Sequence, residues 1–202
     1  MRTLVLFAHP ALEKSRAHRV LAREAAEVPG ITFRDLYEAY PDFDVDVPAE
    51  QELLLAHDVV VWQFPFYWYS VPPLLKQWFD LVLEHGWAYG RDGTRLSGKR
   101  AIAAISVGGR EQAYTAEGLN RHTVQQFLYP VEQTARLCRM TWLPPFLLMG
   151  AHRMDLDTIA AEGRRFRAFL EALRDDRVDL EALALHDRVP TPLAPVLTVA
   201  AT

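Results

Sequence analysis

The chain of 202 residues has a single cysteine, Cys138, so it can form no intramolecular disulfide and has no cysteine spacing suited to a metal. Its seven histidines show no HExxH or comparable spacing, which argues against a metal centre. No apolar run approaches the roughly 18 residues of a membrane span. The opening Met1–Ala8 segment meets His9-Pro10 too soon to be the apolar core of a signal peptide. Basic charge is not in excess either. Lys and Arg number 22 against 26 Asp and Glu, a net charge of −4 that offers little to nucleic acid or a strongly anionic surface. No GxGxxG follows the first apolar run, and neither GxxxxGK[ST] nor GxSxG occurs. A Rossmann dinucleotide site, a P-loop and a nucleophile elbow are thereby disfavoured. The expectation is a cytoplasmic protein of one main domain.

Half of the residues are hydrophobic, and they fall into a regular alternation. Leu4–Ala8 is a continuous apolar run of strand length, as expected of a strand covered on both faces. A helix over 16–28 follows, capped by Ser15 and stopped by Pro29-Gly30. Period-two alternation predicts a second strand over 31–37, and a short helix spans 48–56. Strands at 59–63, 100–107 and 141–149, the last interrupted by Pro144-Pro145, alternate with helices at 72–84, 123–137 and 155–173. Pro130 is expected to kink or divide the helix at 123–137. The segment 86–98 reads as a turn-rich excursion, and 175–202 as a tail with a short helix at 180–186. Such alternation predicts an α/β fold: a parallel sheet with helices on both faces. Ligands then bind at the strands' carboxyl ends, which singles out the loops 9–18, 65–70 and 106–114.

The densest of these signals is Trp62-Gln63-Phe64-Pro65-Phe66-Tyr67-Trp68-Tyr69-Ser70, where a buried strand runs into an aromatic loop. Aromatic rings gathered at a strand end suit a planar ligand, a flavin first, although they would also suit a core or a subunit contact. The loop 9–18 carries His9, Ser15, Arg16, Ala17 and His18. Amide N–H groups and the helix dipole favour an anion there, with Ser15 as a hydroxyl donor and Arg16 or His18 as charge. Ser15 as a plain N-cap is the other reading. Ser106-Val107-Gly108-Gly109 ends the fourth strand, where absent side chains would let backbone approach a ring.

Taken together, Ala8-His9-Pro10 with Ser15, Phe64-Pro65-x-x-Trp68, Pro72-x-Leu74-Leu75-Lys76-x-Trp78, Gly86-Trp87-Ala88-Tyr89-Gly90, Gly108-Gly109 and Trp142-Leu143-Pro144-Pro145 resemble the flavodoxin-like NAD(P)H:quinone oxidoreductase family over residues 2–174. Within it, Tyr37-x-x-Tyr40-Pro41-Asp42-Phe43-x-x-Asp46 and the Gly86–Gly90 run are similar to the quinone-reductase ancillary subunits of glutathione-gated potassium-efflux (Kef) systems. The resemblance implies a flavodoxin-like three-layer sandwich with a five-stranded parallel sheet of order 2-1-3-4-5, formed by residues 1–174. It implies a homodimer with bound FMN in preference to FAD, and ping-pong hydride transfer from NAD(P)H to a quinone. His9, Ser15, Arg16, Ala17 and His18 would surround the flavin phosphate and ribityl chain. Pro65, Phe66, Tyr67 and Trp68, with Ser106, Val107, Gly108 and Gly109, would border the ring. Tyr114 would contact the quinone and His122 would donate a proton. Asn120 stands where some relatives have a histidine, and His18 where many have a polar residue such as Asn. A potassium-efflux transporter as partner, with a peripheral location at the inner face of the cell membrane, is the implied alternative role. Reduction of azo or nitro compounds is a further one. The segment 175–202 is expected to be a flexible or interface-forming extension.

Overall fold

The computed structural model describes residues 1–198. The apolar runs form the strands β1 (Thr3–Phe7), β2 (Ile31–Asp35), β3 (Val59–Pro65) and β4 (Arg100–Val107), followed by the short β5 (Thr141–Trp142) and β6 (Phe146–Met149). All pairings are parallel, in the order β2-β1-β3-β4-β5, with β6 also paired to β4. The fifth strand is therefore one path broken at Leu143-Pro144-Pro145, because proline cannot donate to a sheet ladder.

Helices α1 (Arg16–Ala26), α2 (Leu36–Ala39), α3 (Val47–Ala56), α4 (Pro73–Val82), α5 (Val124–Leu137), α6 (Leu156–Arg174) and α7 (Leu180–Ala184) complete the chain. Period two splits each strand between two cores. Val60, Trp62 and Phe64 face Leu54, Leu75, Trp78 and Leu128 from α3, α4 and α5. Val59 and Val61 face Leu21, Ala25, Phe166 and Phe169 from α1 and α6. Each fully buried side chain of this size contributes about 1.5–3 kcal/mol. Two helical layers thus sandwich the sheet.

Three boundaries differ from the sequence reading. The second strand stops at Asp35, not Tyr37, because the Asp35 carboxylate accepts the N–H groups of Tyr37 and Glu38 and starts α2. The third strand continues through Phe64 and Pro65, which pair with Ile105 and Ser106. Helix α5 runs unbroken through Pro130. Both Pro130 and Gln126, whose carbonyl loses its donor, are exposed, so water can satisfy that carbonyl.

The Tyr37–Asp46 stretch serves to anchor elements. Buried Glu50 accepts hydrogen bonds from Arg34 Nε at 3.0 Å, Tyr40 Oη at 2.7 Å and Trp78 Nε1 at 2.9 Å. Asp46 caps α3, and the Phe43 carbonyl accepts from Gln77. A buried carboxylate with three donors is tolerated; one stripped of them is not.

Candidate functional site

The site sits at the carboxyl ends of β1, β3, β4 and β6. In the first loop, the Ser15 Oγ accepts the N–H of His18 at 3.0 Å, which is an N-cap. The N–H groups of Arg16 and Ala17 have no carbonyl within the helix to bond. The first turn of α1 carries no acidic residue, so the positive end of its dipole is uncompensated. The Arg16 guanidinium donates to the His152 carbonyl at 2.8 Å, tying α1 to the loop after β6.

His9 and His18 lie together, with ring centroids 5.3 Å apart. The Nδ1 of His9 accepts the Ala11 N–H at 3.1 Å, which leaves Nε2 to carry the proton of the neutral ring. That Nε2 faces the Tyr67 hydroxyl at 3.5 Å. Burial pushes the His9 pKa down, and pushes that of fully buried His18 down to about 3. At neutral pH both rings are uncharged. His18 therefore supplies no charge to an anion in this loop, which corrects one of the two sources of charge named from the sequence. Arg16 is the remaining one. Among the described residues, both nitrogens of His18 and the side-chain amide of buried Gln63 lack hydrogen-bond partners.

The aromatic loop is a two-residue hairpin turn. Ser70 donates its N–H to the Tyr67 carbonyl at 3.1 Å, and Trp68 and Tyr69 have φ of 51° and 61°. Positive φ at both central positions is the type I′ pattern, which favours Asn and Gly. Here two bulky aromatics hold it, and Trp68 is 92% exposed. The turn projects its rings outward while Phe66 stays buried at its base. Tyr69 stacks on Phe127 at 4.7 Å and donates its hydroxyl to Asn120 Oδ1 at 3.0 Å.

Glycines shape the third loop by admitting rings. A Cβ on Gly108 would fall 2.4 Å from Cδ2 of His152, and one on Gly109 would fall 2.9 Å from Cε2 of Tyr114. The Gly150 N–H donates to the Gly109 carbonyl at 2.8 Å, and the Ala151 N–H donates to the Val107 carbonyl at 2.9 Å. Desolvation raises the pKa of the half-buried Tyr114, which keeps its hydroxyl protonated at neutral pH.

Two clefts result. One, of about 150 Å³, is lined by His9, Ser15, Arg16, Ala17 and Ser106 together with Pro65. The other, of about 370 Å³, is lined by Trp68, Tyr69, Gly109 and Tyr114. Phe66, Tyr67, Gly108 and His152 line both, so the clefts adjoin. Val107 and His18 are buried behind them and line neither. His122 is exposed, stands edge-on to Phe127 at 5.6 Å and lines neither cleft. His152, which lines both clefts, is missed by sequence reasoning, as are Ala151 in the smaller cleft and Tyr69 in the larger. Among the described residues no group of three His, Cys, Asp or Glu could hold a metal ion. Nor is any helix long and apolar enough to cross a membrane.

Known proteins are similar to this chain in sequence and fold. The chain is 45% identical over 169 residues to the glutathione-regulated potassium-efflux system ancillary protein KefG of Cronobacter sakazakii, covering 84% of this chain and 92% of that one. The crystal structure of general stress protein 14 from Treponema denticola in complex with FMN superposes with a TM-score of 0.81 at 38% identity, over 86% of this chain and 99% of that one. An NADPH-quinone reductase from P. pentosaceus gives a TM-score of 0.75 at 29% identity, over 84% of this chain and 97% of that one. Residues 1–175 match the Flavodoxin_2 family model, described as a flavodoxin-like fold, and the chain belongs to that family.

Proposed function

We propose that the chain is an FMN-dependent NAD(P)H:quinone oxidoreductase. The observation that carries this reading is that two adjoining clefts share four lining residues, one at a helix N-terminus with no acid in its first turn and one walled by aromatic rings. The residues fit FMN. The α1 end offers a hydroxyl, a guanidinium and free N–H groups with no carboxylate in its first turn, which suits a phosphate. The FMN complex of the Treponema relative and the name of the P. pentosaceus relative support the same cofactor and reaction.

When bound, the flavin supplies the two-electron hydride chemistry. Ser15, Arg16 and Ala17 would hold the phosphate, with neutral His9 beside them and His18 buried behind. Pro65, Phe66, Tyr67 and Trp68 would border the ring together with Ser106, Gly108 and Gly109, and Val107 would back them from the core. Tyr114, protonated at neutral pH, donates a hydrogen bond to the quinone oxygen. Of the imidazoles His122 and His152, only His152 lines the larger cleft. We read the reaction as ping-pong, with NAD(P)H and quinone taking turns at the flavin. We read 1–174 as the flavin-binding domain and 175–202 as its extension.

The exposed rings of Tyr67, Trp68 and Tyr69 line the larger cleft and offer an apolar surface that suits a second copy of the chain. The likeness to KefG favours a second, compatible role as ancillary subunit of a potassium-efflux transporter, which co-purification with such a transporter tests.

The test of the enzyme reading is an absorbance spectrum, mass identification of the released flavin, and an anaerobic NAD(P)H titration followed by menadione. Bound FMN that is bleached by NAD(P)H and recoloured by menadione is expected. A colourless protein that takes up neither FMN nor FAD and does not reduce menadione contradicts the reading.

A further inference from the structure

The family match ends at residue 175, and the described chain runs on to residue 198. This extension is packed in place. Val178, Leu183, Val189, Leu193 and Val196 are buried in the core shared with α1 and α6, and Val189 donates its N–H to the Pro145 carbonyl at 2.9 Å. Between α7 and Val189 it turns toward the loop that bears Tyr114. There the Arg188 guanidinium donates to the Glu111 carboxylate at 2.8 Å, and the Asp187 carbonyl accepts from the Gln125 side chain at 3.0 Å.

Glu111 opens the 3-10 turn Glu111–Ala113, and its carbonyl accepts the N–H of Tyr114 at 2.9 Å. A hold on the Glu111 side chain is therefore a hold on the turn that aims Tyr114. Tyr114 also lines a further cleft of about 220 Å³, which Glu111, Asp187 and Arg188 line as well. Tyr114 thus belongs both to that cleft and to the one lined by Trp68 and Tyr69. This loop is held by a side chain that the family domain does not supply.

We propose that Arg188 is a positioning residue: the extension straps the Glu111–Tyr114 turn from outside and so sets how Tyr114 meets the quinone, an inference that rests on the oxidoreductase reading above. The ion pair is partly exposed, with side chains 39% and 60% accessible, so its effect is modest. Pairs of this kind change an equilibrium by up to about fivefold. The buried Val189 next to it keeps the extension itself in place when the pair is broken.

The experiment compares the FMN-loaded wild type with Arg188→Ala, Glu111→Ala, the double variant and the charge-swapped pair R188E/E111R. Hydrogen exchange over residues 110–122 is read by mass spectrometry, alongside KM and kcat for menadione and the Kd for FMN. Each single variant should speed exchange in that segment and raise KM about threefold. The FMN Kd should stay unchanged, the double variant should be no worse than either single one, and the swapped pair should restore both readouts. In a Tyr114→Phe background the effect of Arg188→Ala on KM should vanish. Unchanged exchange and unchanged KM in Arg188→Ala overturn the proposal, as does a KM effect of the same size without the Tyr114 hydroxyl. A wild type that exchanges as expected but reduces no menadione would instead count against the oxidoreductase reading.

Discussion

The loops after β1 and β3 face each other across one cleft and are built in opposite ways. The first keeps its two rings inside on an unstrained backbone: His9 and His18 are almost fully covered, and Ser15 closes the helix end with an ordinary cap. The second is exposed and strained, with Trp68 and Tyr69 held at positive φ and Trp68 almost wholly in solvent. A left-handed backbone costs a bulky residue about 1–3 kcal/mol. The first loop gains its function from backbone donors that folding fixes anyway. The second gives up stability to present rings outward, where a ligand or a second protein surface can cover them. Anchoring an anion and presenting a planar wall are thus separable tasks within one site.

Changes on the anchoring side should give the largest effects. Arg16→Ala should weaken FMN binding by about 10–100-fold, the scale of one charge-assisted contact, measured by quenching of flavin fluorescence. Riboflavin, which lacks the phosphate, should bind the variant and the wild type alike.

His18 makes the first loop sensitive to acid. Its pKa in the folded chain is about 3, against 6.5 for the free side chain. Below pH 6.5 the unfolded chain takes up a proton that the folded chain refuses, so stability is full above that pH and falls as pH drops toward 3. Between pH 7 and pH 5 the loss is about 2 kcal/mol. Urea unfolding at the two pH values should show it, and His18→Leu should remove most of it. The lowered pKa of His9 acts in the same direction and accounts for what remains.

On the presenting side, Tyr114→Phe should reduce kcat/KM for menadione by about tenfold, one hydrogen bond in the acceptor cleft, while FMN affinity holds. The smallest effect is expected at the strained turn. Trp68→Gly should raise stability by about 1 kcal/mol in thermal unfolding, because relief of positive φ outweighs the added chain entropy of glycine. It should also weaken acceptor binding. A destabilised Trp68→Gly protein would show that the turn is not strained and would remove the contrast between the loops.

Much of this architecture was legible in the sequence because strand-length apolar runs and helical spacing act locally. Leu4–Ala8, Val59–Val61 and Arg100–Val107 declared the central strands, and the loops at their carboxyl ends followed. The stop at Asp35 was not legible, since period two continues into Tyr37 and only a side-chain cap ends the strand. The burial of His18 could have been found: Leu21, Ala22 and Ala25 lie at its helical spacings and form the covered face of α1. His152 had one signal, its place just beyond the carboxyl end of the fifth strand, but the broken strand Thr141–Met149 drew attention to its prolines. Nothing in the spacing of Glu111 and Arg188 announces their contact, because 77 residues separate them.

The central claim is that a helix end with no acid in its first turn and an aromatic cleft form one flavin site. Parallel fluorescence titration of flavin-free protein with FMN and riboflavin tests it most directly. The account predicts one FMN per chain, with riboflavin bound at least about 30-fold more weakly, the value of the phosphate contacts at α1. Equal affinity for the two, or no uptake of either, would contradict it.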